Sequence, residues 1–283
     1  MCSPKRLAAL AAAVLCLVLT LAACGGEQQV PPTWAEVREL EGALILEVRE
    51  DHPEEDSLPA LYMHLETEKI YLASNYRIGE SHTIRDDAIR VDIRDIHIGQ
   101  VRATTLGPAQ AEFPLGIEDG DYELSIIWSS QEDRYTLRLT PESIELIPMR
   151  TSFTRAKSAR YYRFPPNSFA YYCGTMVEDK HICADFYDLL DSRLELQEFT
   201  FPGDGTWPYP SQSEGHYYDM PGRFFVYQKD LDFEKAGELL AEFTQETLQV
   251  LEGAGLHLVD WRNRHARSWL IQPADEKIEP EPQ

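Results

Sequence analysis

Between residues 42 and 148 short apolar segments alternate with turn residues, and this spacing constrains the fold more than any other feature of the sequence. Gly, Pro, Asn and Asp separate the segments at roughly the 8–12-residue spacing of a β-sandwich. The candidate strands are residues 43–48, 61–65, 69–73, 84–98, 101–105, 111–115, 122–128, 135–139 and 144–147. The pattern therefore predicts a β-sandwich domain over residues 34–150.

The candidate strand at 84–98 changes the phase of its alternation near its middle. Its apolar residues are Ile89, Val91, Ile93, Ile96 and Ile98. Because side chains alternate between the two faces of a strand, the first three and the last two would point to opposite faces of a regular strand. One extra residue near Arg94 and Asp95 gives all five a common inward face, so the sequence predicts a β-bulge there.

Residues 118–124 (EDGDYEL) resemble the tyrosine corner of immunoglobulin-like sandwiches. In that motif a turn rich in Asp and Gly precedes a tyrosine, here Tyr122, and the inward position two residues later is often a cysteine. That position is Leu124 in this chain, so the inter-sheet disulfide of antibody domains is absent. The resemblance implies an immunoglobulin-like sandwich, and another kind of β-sandwich is the alternative.

The composition changes after Arg150, since residues 151–283 contain 22 of the 30 aromatic side chains. The clearest periodic segment is 233–252, whose apolar residues recur about every 3.6 positions, as in an amphipathic helix. The other predicted elements are a short helix at 184–194 and strands at 223–228, 256–261 and 268–272. The predicted fold class is therefore mainly β with α+β, in which the sandwich precedes a smaller α+β unit at 151–273 with one long helix.

The chain begins with two basic residues, Lys5 and Arg6, followed by a run of 17 apolar or small residues that ends in Leu21-Ala22-Ala23-Cys24. These residues resemble the bacterial lipoprotein signal, whose lipobox is a leucine, two small residues and a cysteine. The resemblance implies removal of a signal peptide at 1–23 and acylation of Cys24, which would anchor the protein to a bacterial membrane. An uncleaved anchor helix is the alternative.

The same resemblance implies a location in the cell envelope, with the folded part facing the periplasm or the cell surface. Residues 24–33 are polar and contain Gly and Pro, which predicts a flexible tether. Residues 274–283 are acidic and contain Pro, which predicts a disordered tail.

Two cysteines, Cys173 and Cys183, remain once the signal peptide and the acylated residue are set aside. Two thiols in an oxidising compartment are expected to form a disulfide. The segment between them also fits a hairpin folded about Glu178, which would bring the two positions opposite each other. The alternative is a metal site with His181 as a third ligand.

The chain is strongly acidic, with 48 Asp and Glu residues against 26 Lys and Arg residues and a formal net charge of −22. Because nucleic-acid affinity depends on Lys and Arg contacts with phosphates, this charge argues against a nucleic-acid partner. The sequence has no G-x-S-x-G elbow, no H-E-x-x-H helix and no phosphate-binding loop. Its eight His residues are not spaced like metal ligands. It therefore predicts no catalytic residues, no metal and no cofactor.

Residues 199–222 combine aromatic and acidic side chains in a segment too rich in Pro and Gly for regular structure. The candidate ligand-binding residues are Asp204, Trp207, Tyr209, His216, Tyr217 and Tyr218. Sugar rings stack on aromatic planes and sugar hydroxyls donate to carboxylates, so this loop suits a glycan such as peptidoglycan. The same residues suit a protein partner. The structural alternative is that the loop folds over the second unit and buries its aromatic residues as a small core.

A basic turn at 262–267 stands out in so acidic a chain. It either docks an acidic partner or the acidic tail, or balances local charge at the surface. With the features above, we expect a non-enzymatic binding or accessory protein of the envelope, attached to the membrane through its N-terminal lipid and partnered by an envelope protein. Glycan binding is the main alternative, and a hydrolase is less favoured.

Overall fold

β-Strands make up the larger part of the structure. The computed structural model describes residues 40–99, 105–175, 181–210, 222–229, 231–248 and 254–271. Fifteen strands and two α-helices lie within these ranges. This confirms the predicted class, a mainly β protein with a smaller α+β part.

Ten strands form one curled sheet. They are β1 (Leu44–Asp51), β2 (Ala60–Tyr71), β3 (Tyr76–Arg85), β4 (Ala88–Ile98), β5 (Gly107–Pro114), β6 (Gly120–Trp128), β7 (Gln131–Leu139), β8 (Ser143–Arg150), β9 (Thr154–Ala156) and β10 (Arg160–Tyr162). Their order is β10-β8-β7-β6-β4-β3-β5-β2-β1-β9. The arrangement is sandwich-like, but hydrogen bonds join its strands into one continuous sheet, whereas an immunoglobulin domain has two.

One short segment, residues 154–162, joins the two ends of this sheet. Its first part, β9, pairs with β1 in parallel, and its second part, β10, pairs with β8 in antiparallel orientation. Between them, the Lys157 amide donates to the Leu46 carbonyl at 2.8 Å, and the Leu146 amide donates to the Ala159 carbonyl at 2.9 Å. The segment therefore lies between β1 and β8 and closes the curled sheet.

The core of the curled sheet is built from alternate residues of its strands. On β1, Leu44, Leu46 and Val48 are buried in one continuous apolar cluster with residues of the other long strands. The intervening residues of β1, among them Glu47 and Arg49, lie on the opposite face because successive side chains of a strand alternate. This second face of β1 becomes important for the candidate site.

The bulge predicted in β4 is confirmed. Gly79 lies opposite Asp95 and Glu80 lies opposite Ile93, so Arg94 is the extra residue. Four of the five apolar residues that motivated the prediction are buried, namely Ile89, Val91, Ile93 and Ile96. The insertion therefore keeps the inward face of β4 apolar on both sides of the bulge.

The tyrosine-corner geometry is present at the start of β6. The Tyr122 hydroxyl donates to the carbonyl oxygen of Glu118 at 3.0 Å. Leu124, two residues later, is fully buried. The Tyr122 side chain thus links the turn to the strand that follows it through this hydrogen bond, as the resemblance implied.

Five further strands form a second sheet in the order β12-β13-β11-β14-β15. They are β11 (Ser168–Gly174), β12 (Gln197–Phe199), β13 (Arg223–Val226), β14 (Gly255–Asp260) and β15 (His265–Arg267). Two helices, α1 (His181–Arg193) and α2 (Leu231–Thr247), share an apolar cluster with one face of this sheet. Phe186 of α1 and Phe233 of α2 contact Tyr171 and Phe169 of β11, respectively.

The opposite face of the second sheet carries a separate aromatic cluster. Tyr172 and Phe224 of the sheet pack there with Tyr209, and Phe201 and Trp207 lie against them. All seven residues of β11 are buried, because its side chains alternate between this cluster and the helices. The loop that contains Trp207 and Tyr209 is therefore one layer of the fold.

Some predicted boundaries are wrong. Residues 268–272 do not form a strand: β15 lies at His265–Arg267, and Ser268–Leu270 form a 3₁₀ turn. The predicted strand at 101–105 falls almost wholly outside the described residues. The boundary predicted at residue 150 stays a prediction, although β9 and β10 lie beyond it and still pair in the first sheet.

The predicted disulfide between Cys173 and Cys183 is confirmed, with 5.6 Å between the two Cα atoms. The hairpin proposed for it is wrong, because Cys183 lies in the first turn of α1 rather than in a strand. The buried residues of α1 are Ile182, Cys183, Phe186 and Leu190, which share one helical face. The bond therefore links the central strand of the second sheet to a helix that covers it.

Replacing both Cys173 and Cys183 with alanine should lower the free energy of unfolding by roughly 2–3 kcal/mol, because the bond closes a short loop in the unfolded chain. Urea denaturation of the protein purified without reducing agent measures this loss. The wild-type protein in reducing agent is the control and should unfold like the double variant. Two free thiols in the wild-type protein purified under oxidising conditions would contradict the prediction.

The predicted signal peptide (1–23), the tether (24–33) and the acidic tail (274–283) lie outside the described residues, so acylation of Cys24 stays a prediction. Neither of the described helices has the length and apolar character needed to cross a membrane.

Candidate functional site

Tyr209, a predicted ligand-binding residue, is a packing residue. Its side chain is buried, and its hydroxyl lies 2.6 Å from Ser168 Oγ. Its ring stacks on Phe224 with 5.7 Å between centroids and meets Phe164 edge-on at 5.0 Å. Burial also raises the pKa of the Tyr209 hydroxyl well above its ordinary value. For this residue the structural alternative, a small aromatic core, is the one observed.

Trp207 belongs to the aromatic cluster and also lines a groove. Its ring packs edge-on against Phe224 at 5.3 Å and stacks beside Phe201 at 6.3 Å between centroids. The residue is nevertheless only half-buried, and it lines a groove on the outer side of the cluster. Trp207 therefore contributes to the aromatic cluster and presents part of its surface to a ligand.

Asp204 fastens the loop to the curled sheet. The Tyr162 hydroxyl and the Arg160 guanidinium both donate to its carboxylate. The hydrogen bond from Tyr162, with the charge of Arg160, holds the pKa of Asp204 below its ordinary value. Asp204 does not line the groove beside Trp207. His216, Tyr217 and Tyr218, the remaining predicted residues, lie outside the described residues.

The groove beside Trp207 has a volume of about 430 Å³ and lies between residues 206–210, strand β1 and the closing segment 154–162. Its lining residues are Glu47, Arg49, Glu50, Asp51, Lys157, Ser158, Tyr161, Tyr162, Thr206, Trp207, Pro208, Tyr209 and Pro210. Sites for small ligands typically enclose roughly 300–1,000 Å³. The groove is therefore large enough for a small ligand or a short piece of a polymer.

Backbone hydrogen bonds hold the two walls of the groove together. The Thr206 amide donates to the Arg160 carbonyl at 2.9 Å, and the Tyr162 amide donates to the Thr206 carbonyl at 2.8 Å. The aromatic loop therefore continues the closing segment in the manner of an added strand. A site held by backbone pairing is formed before a ligand arrives, which lowers the entropic cost of binding.

Glu47 is the central acid of the groove floor. Its side chain is largely buried, yet its carboxylate receives Lys157 Nζ at 2.9 Å and Arg49 Nη1 at 3.1 Å. The two bases compensate the charge of Glu47, and both bases are themselves partly exposed. Arg49 and Lys157 therefore remain able to donate to a ligand.

Asp51 extends this network along the same face of β1. Its carboxylate lies 2.7 Å from His64 Nε2 and 3.0 Å from Arg49 Nε. Burial alone would raise the pKa of Asp51, but the contacts with His64 and Arg49 outweigh burial and lower it. Asp51 is therefore a stable carboxylate at neutral pH and an acceptor of hydrogen bonds.

Tyr161 supplies a buried hydroxyl to the groove. The residue is 2 % exposed, and its hydroxyl makes no hydrogen bond of normal geometry in the described part of the chain, although the Glu47 carboxylate and the Ser158 backbone lie close to it. Burial, helped by the neighbouring Glu47 carboxylate, raises the pKa of Tyr161 well above its ordinary value. The hydroxyl is therefore protonated at neutral pH. Buried polar groups without a partner are rare, and they are expected where a ligand or a water completes the site.

A second cavity of about 250 Å³ adjoins the groove on the outer face of β1, β2 and β5. It shares Glu47, Arg49 and Lys157 with the groove and adds His64, Glu66, Arg77 and Glu112. The three shared residues are all charged, and they lie where the groove and the second cavity meet.

A buried ion pair fixes the end of β1 beside the groove. Glu50 accepts from Arg163 Nε at 2.7 Å and from the Phe164 amide at 2.8 Å. Arg163 also donates to the Thr140 carbonyl at 2.9 Å and pairs with Asp119. Both oxygens of Glu50 are therefore occupied, and Glu50 lines the groove as a residue that holds the end of β1 in place.

The predicted basic turn pairs within the chain. Arg262 Nε lies 3.0 Å from Asp56, which belongs to the loop between β1 and β2. In the same loop, His52 Nε2 lies 2.8 Å from the Trp261 carbonyl. Arg264 donates through Nε at 2.7 Å to the fully buried Asp260. Of the interpretations left open, local charge balance is the one that these contacts support.

Within the described ranges no group of three or more His, Cys, Asp or Glu side chains is arranged to hold a metal ion. The residues that could hold a ligand are those of the groove. Glu47, Arg49, Lys157 and Tyr161 were missed by the sequence analysis. Their signal was weak, because alternating charged residues on a strand look like an ordinary solvent-exposed face.

The fold is that of a mainly β protein, and its curled sheet and the aromatic loop at 206–210 line a groove with charged and aromatic residues. Comparison with models of protein families, with characterised proteins and with solved structures found no match to this chain.

Proposed function

We propose that this chain is a non-enzymatic envelope lipoprotein, held to a bacterial membrane by acylated Cys24, which binds a segment of a glycan such as peptidoglycan in the groove beside Trp207. The observation on which the choice of site rests is the hydroxyl of Tyr161, which is buried in the lining of the groove beside Glu47 and makes no hydrogen bond of normal geometry in the described part of the chain. Removing such a group from water without a hydrogen bond costs about 1–3 kcal/mol. A ligand hydroxyl placed there would recover that cost.

The chemistry of the lining supports a polyhydroxylated ligand. Trp207 offers an apolar ring surface against which a sugar ring can stack. Glu47 and Asp51 offer acceptors for sugar hydroxyls, and Arg49 and Lys157 offer donors for ring and carbonyl oxygens. Acids and bases are nearly balanced in the lining, which favours a ligand of low net charge over a polyanion.

The electrostatics favour binding over hydrolysis. A glycosidase needs one carboxyl whose pKa is raised, so that it can donate a proton to the leaving group. Asp51 has the opposite property, because His64 and Arg49 lower its pKa. The other two acids of the lining are paired with bases, Glu47 with Arg49 and Lys157, and Glu50 with Arg163.

Tyr161→Phe should weaken glycan binding about tenfold, equivalent to about 1.4 kcal/mol, while leaving stability unchanged or slightly raised. The probe is a soluble muropeptide mixture from digested peptidoglycan, titrated against the Trp fluorescence of the full protein. Tyr135→Phe is the matched control, because the Tyr135 hydroxyl lies in the core, 2.8 Å from Thr154 Oγ1. That control should lose about 1 kcal/mol of stability and keep its affinity.

A titration in which the wild-type protein binds no muropeptide would contradict the glycan proposal. If in-cell crosslinking then recovers one dominant envelope protein, the chain is an accessory subunit of that protein. Equal affinity of the wild type and Tyr161→Phe for muropeptides would place the binding site elsewhere.

A further inference from the structure

Three large apolar side chains are exposed at one end of the curled sheet. Ile70 is 57 % exposed, Leu72 is 88 % exposed and Leu106 is 66 % exposed. We refer to them as the apolar patch. Single exposed apolar residues are common, but a group of large ones at one site marks an interaction surface.

The register of the sheet places the three residues together. Tyr71, the last residue of β2, lies opposite Gly107, the first residue of β5, so Leu72 and Leu106 are the residues that adjoin this pairing. Ile70 is the last residue but one of β2, and Leu72 directly follows the end of that strand. Tyr71, between them, is buried. The three exposed side chains are thus grouped at the end of the β2–β5 pair.

The backbone around the patch is well supported. Ser74 Oγ and Thr105 Oγ1 lie 2.7 Å apart and link the two segments that carry Leu72 and Leu106. Beneath the patch, the rings of Tyr71 and Tyr76 stack with 4.4 Å between centroids. The apolar side chains are therefore presented on a fixed base, as a docking surface requires.

The chain enters the curled sheet beside this patch. Lys69 Nζ lies 2.6 Å from Glu41, and the Ala43 amide donates to Glu68 at 2.9 Å. Glu68 and Lys69 directly precede Ile70 in β2. Only 16 positions separate Cys24 from Leu40, the first described residue. Whatever their conformation, these positions span at most about 55 Å.

We propose that the apolar patch docks on the lipid surface of the membrane that holds the acylated Cys24. The inference rests on the proposed lipid anchor and adds which face of the protein meets the bilayer. The acids beside the patch do not oppose this contact, because Glu41 is paired with Lys69 and Glu68 with Arg155. Since the anchor keeps the patch at a high local concentration near lipid, weak apolar contacts suffice for docking.

The test uses the full acylated protein in vesicles of phosphatidylethanolamine and phosphatidylglycerol, with an environment-sensitive fluorophore on the Leu72→Cys variant. The introduced thiol is the single reactive one expected, because Cys24 is acylated and Cys173 is bonded to Cys183. Leu58→Cys is the matched control. Leu58 is 61 % exposed and lies just before the opposite end of β2. Twelve residues of strand place the two labels about 40 Å apart.

The Leu72 label should shift to shorter emission wavelength on reconstitution and should be quenched several-fold more by lipid-borne quenchers than the Leu58 label. Equal quenching of the two labels in protein that floats with the vesicles would overturn the docking face and leave the anchor intact. Protein that does not float with the vesicles would overturn both the anchor and the docking face. A shift in emission that rises with protein density and is insensitive to lipid-borne quenchers would overturn the membrane contact. It would show that the patch contacts a second copy of the chain instead.

Discussion

Asp133→Ala is expected to lower the free energy of unfolding by about 4 kcal/mol, because several buried hydrogen bonds to a charged group are lost together. Asp133 is fully buried in β7. Its carboxylate accepts from the backbone amides of Ser152, Phe153 and Thr154 and from the hydroxyls of Ser152 and Thr154, at 2.6–2.9 Å. In the variant these donors are left unpaired at the turn that leads into β9.

The same residue should make stability depend on pH. Burial alone would raise the pKa of Asp133, but the hydrogen bonds from Thr154 and Ser152 outweigh burial and lower it. The stabilisation is therefore complete above the ordinary carboxyl pKa of about 3.9 and is lost as the pH falls through the lower pKa of the folded state. Asp133→Asn, which cannot ionise, should approach the wild-type stability as the pH falls through that range.

Urea denaturation at neutral and acidic pH measures both effects. Asp121→Ala is the control, because the Asp121 carboxylate is exposed and pairs with Arg138 at the surface. Such a pair contributes about 1 kcal/mol or less. Equal losses of unfolding free energy for Asp133→Ala and Asp121→Ala would show that the buried Asp133 carboxylate does not stabilise the turn that leads into β9.

Asp260→Ala should cost about 3–5 kcal/mol, since it leaves the Arg264 guanidinium without its buried partner. Asp260 is fully buried and accepts from Arg264 Nε at 2.7 Å and from the Arg262 and Arg264 amides at 3.0 and 2.8 Å. Thermal and urea denaturation give the loss. Arg262→Ala, which breaks a partly exposed pair with Asp56, should cost about 1 kcal/mol or less.

A double variant separates the charge from the turn geometry. If the loss of Asp260 from beside the Arg264 charge causes most of the destabilisation, Asp260→Ala with Arg264→Ala should be more stable than Asp260→Ala alone. If the two variants are equally unstable, the loss comes from the backbone amides that Asp260 holds in the turn. A single variant as stable as the wild type would contradict both explanations.

Apolar periodicity predicts the elements whose burial is clearly one-sided, and two strands without that pattern were missed. The bulge at Arg94 and the helix near Phe233 could be predicted from apolar periodicity, because the spacing of apolar residues indicates which face of an element is buried. β3 was missed because Ile78 is its single fully buried residue, so its sequence has little alternation. β11 was missed for the opposite reason, since all its residues are buried and no polar face marks it as a strand.

The candidate site depends on contacts between distant parts of the chain. Trp207 was predicted from the composition of its own loop, and the structure places it on the groove. Glu47 and Tyr161 could not be predicted, because they join Trp207 only after β10 pairs with Thr206. The small aromatic core around Tyr209 also depends on β11, which the sequence did not reveal.

The closure of the curled sheet has a consequence for how the chain acquires its structure. β1 begins the sheet, but its parallel neighbour is β9, so that Leu44 pairs with Thr154, 110 positions later. Contacts between such distant positions form slowly. During synthesis from the N-terminus, β1 therefore keeps one open edge until almost the whole curled sheet has been made. That edge is the part of the nascent chain at which strand addition by a second chain competes most directly with folding.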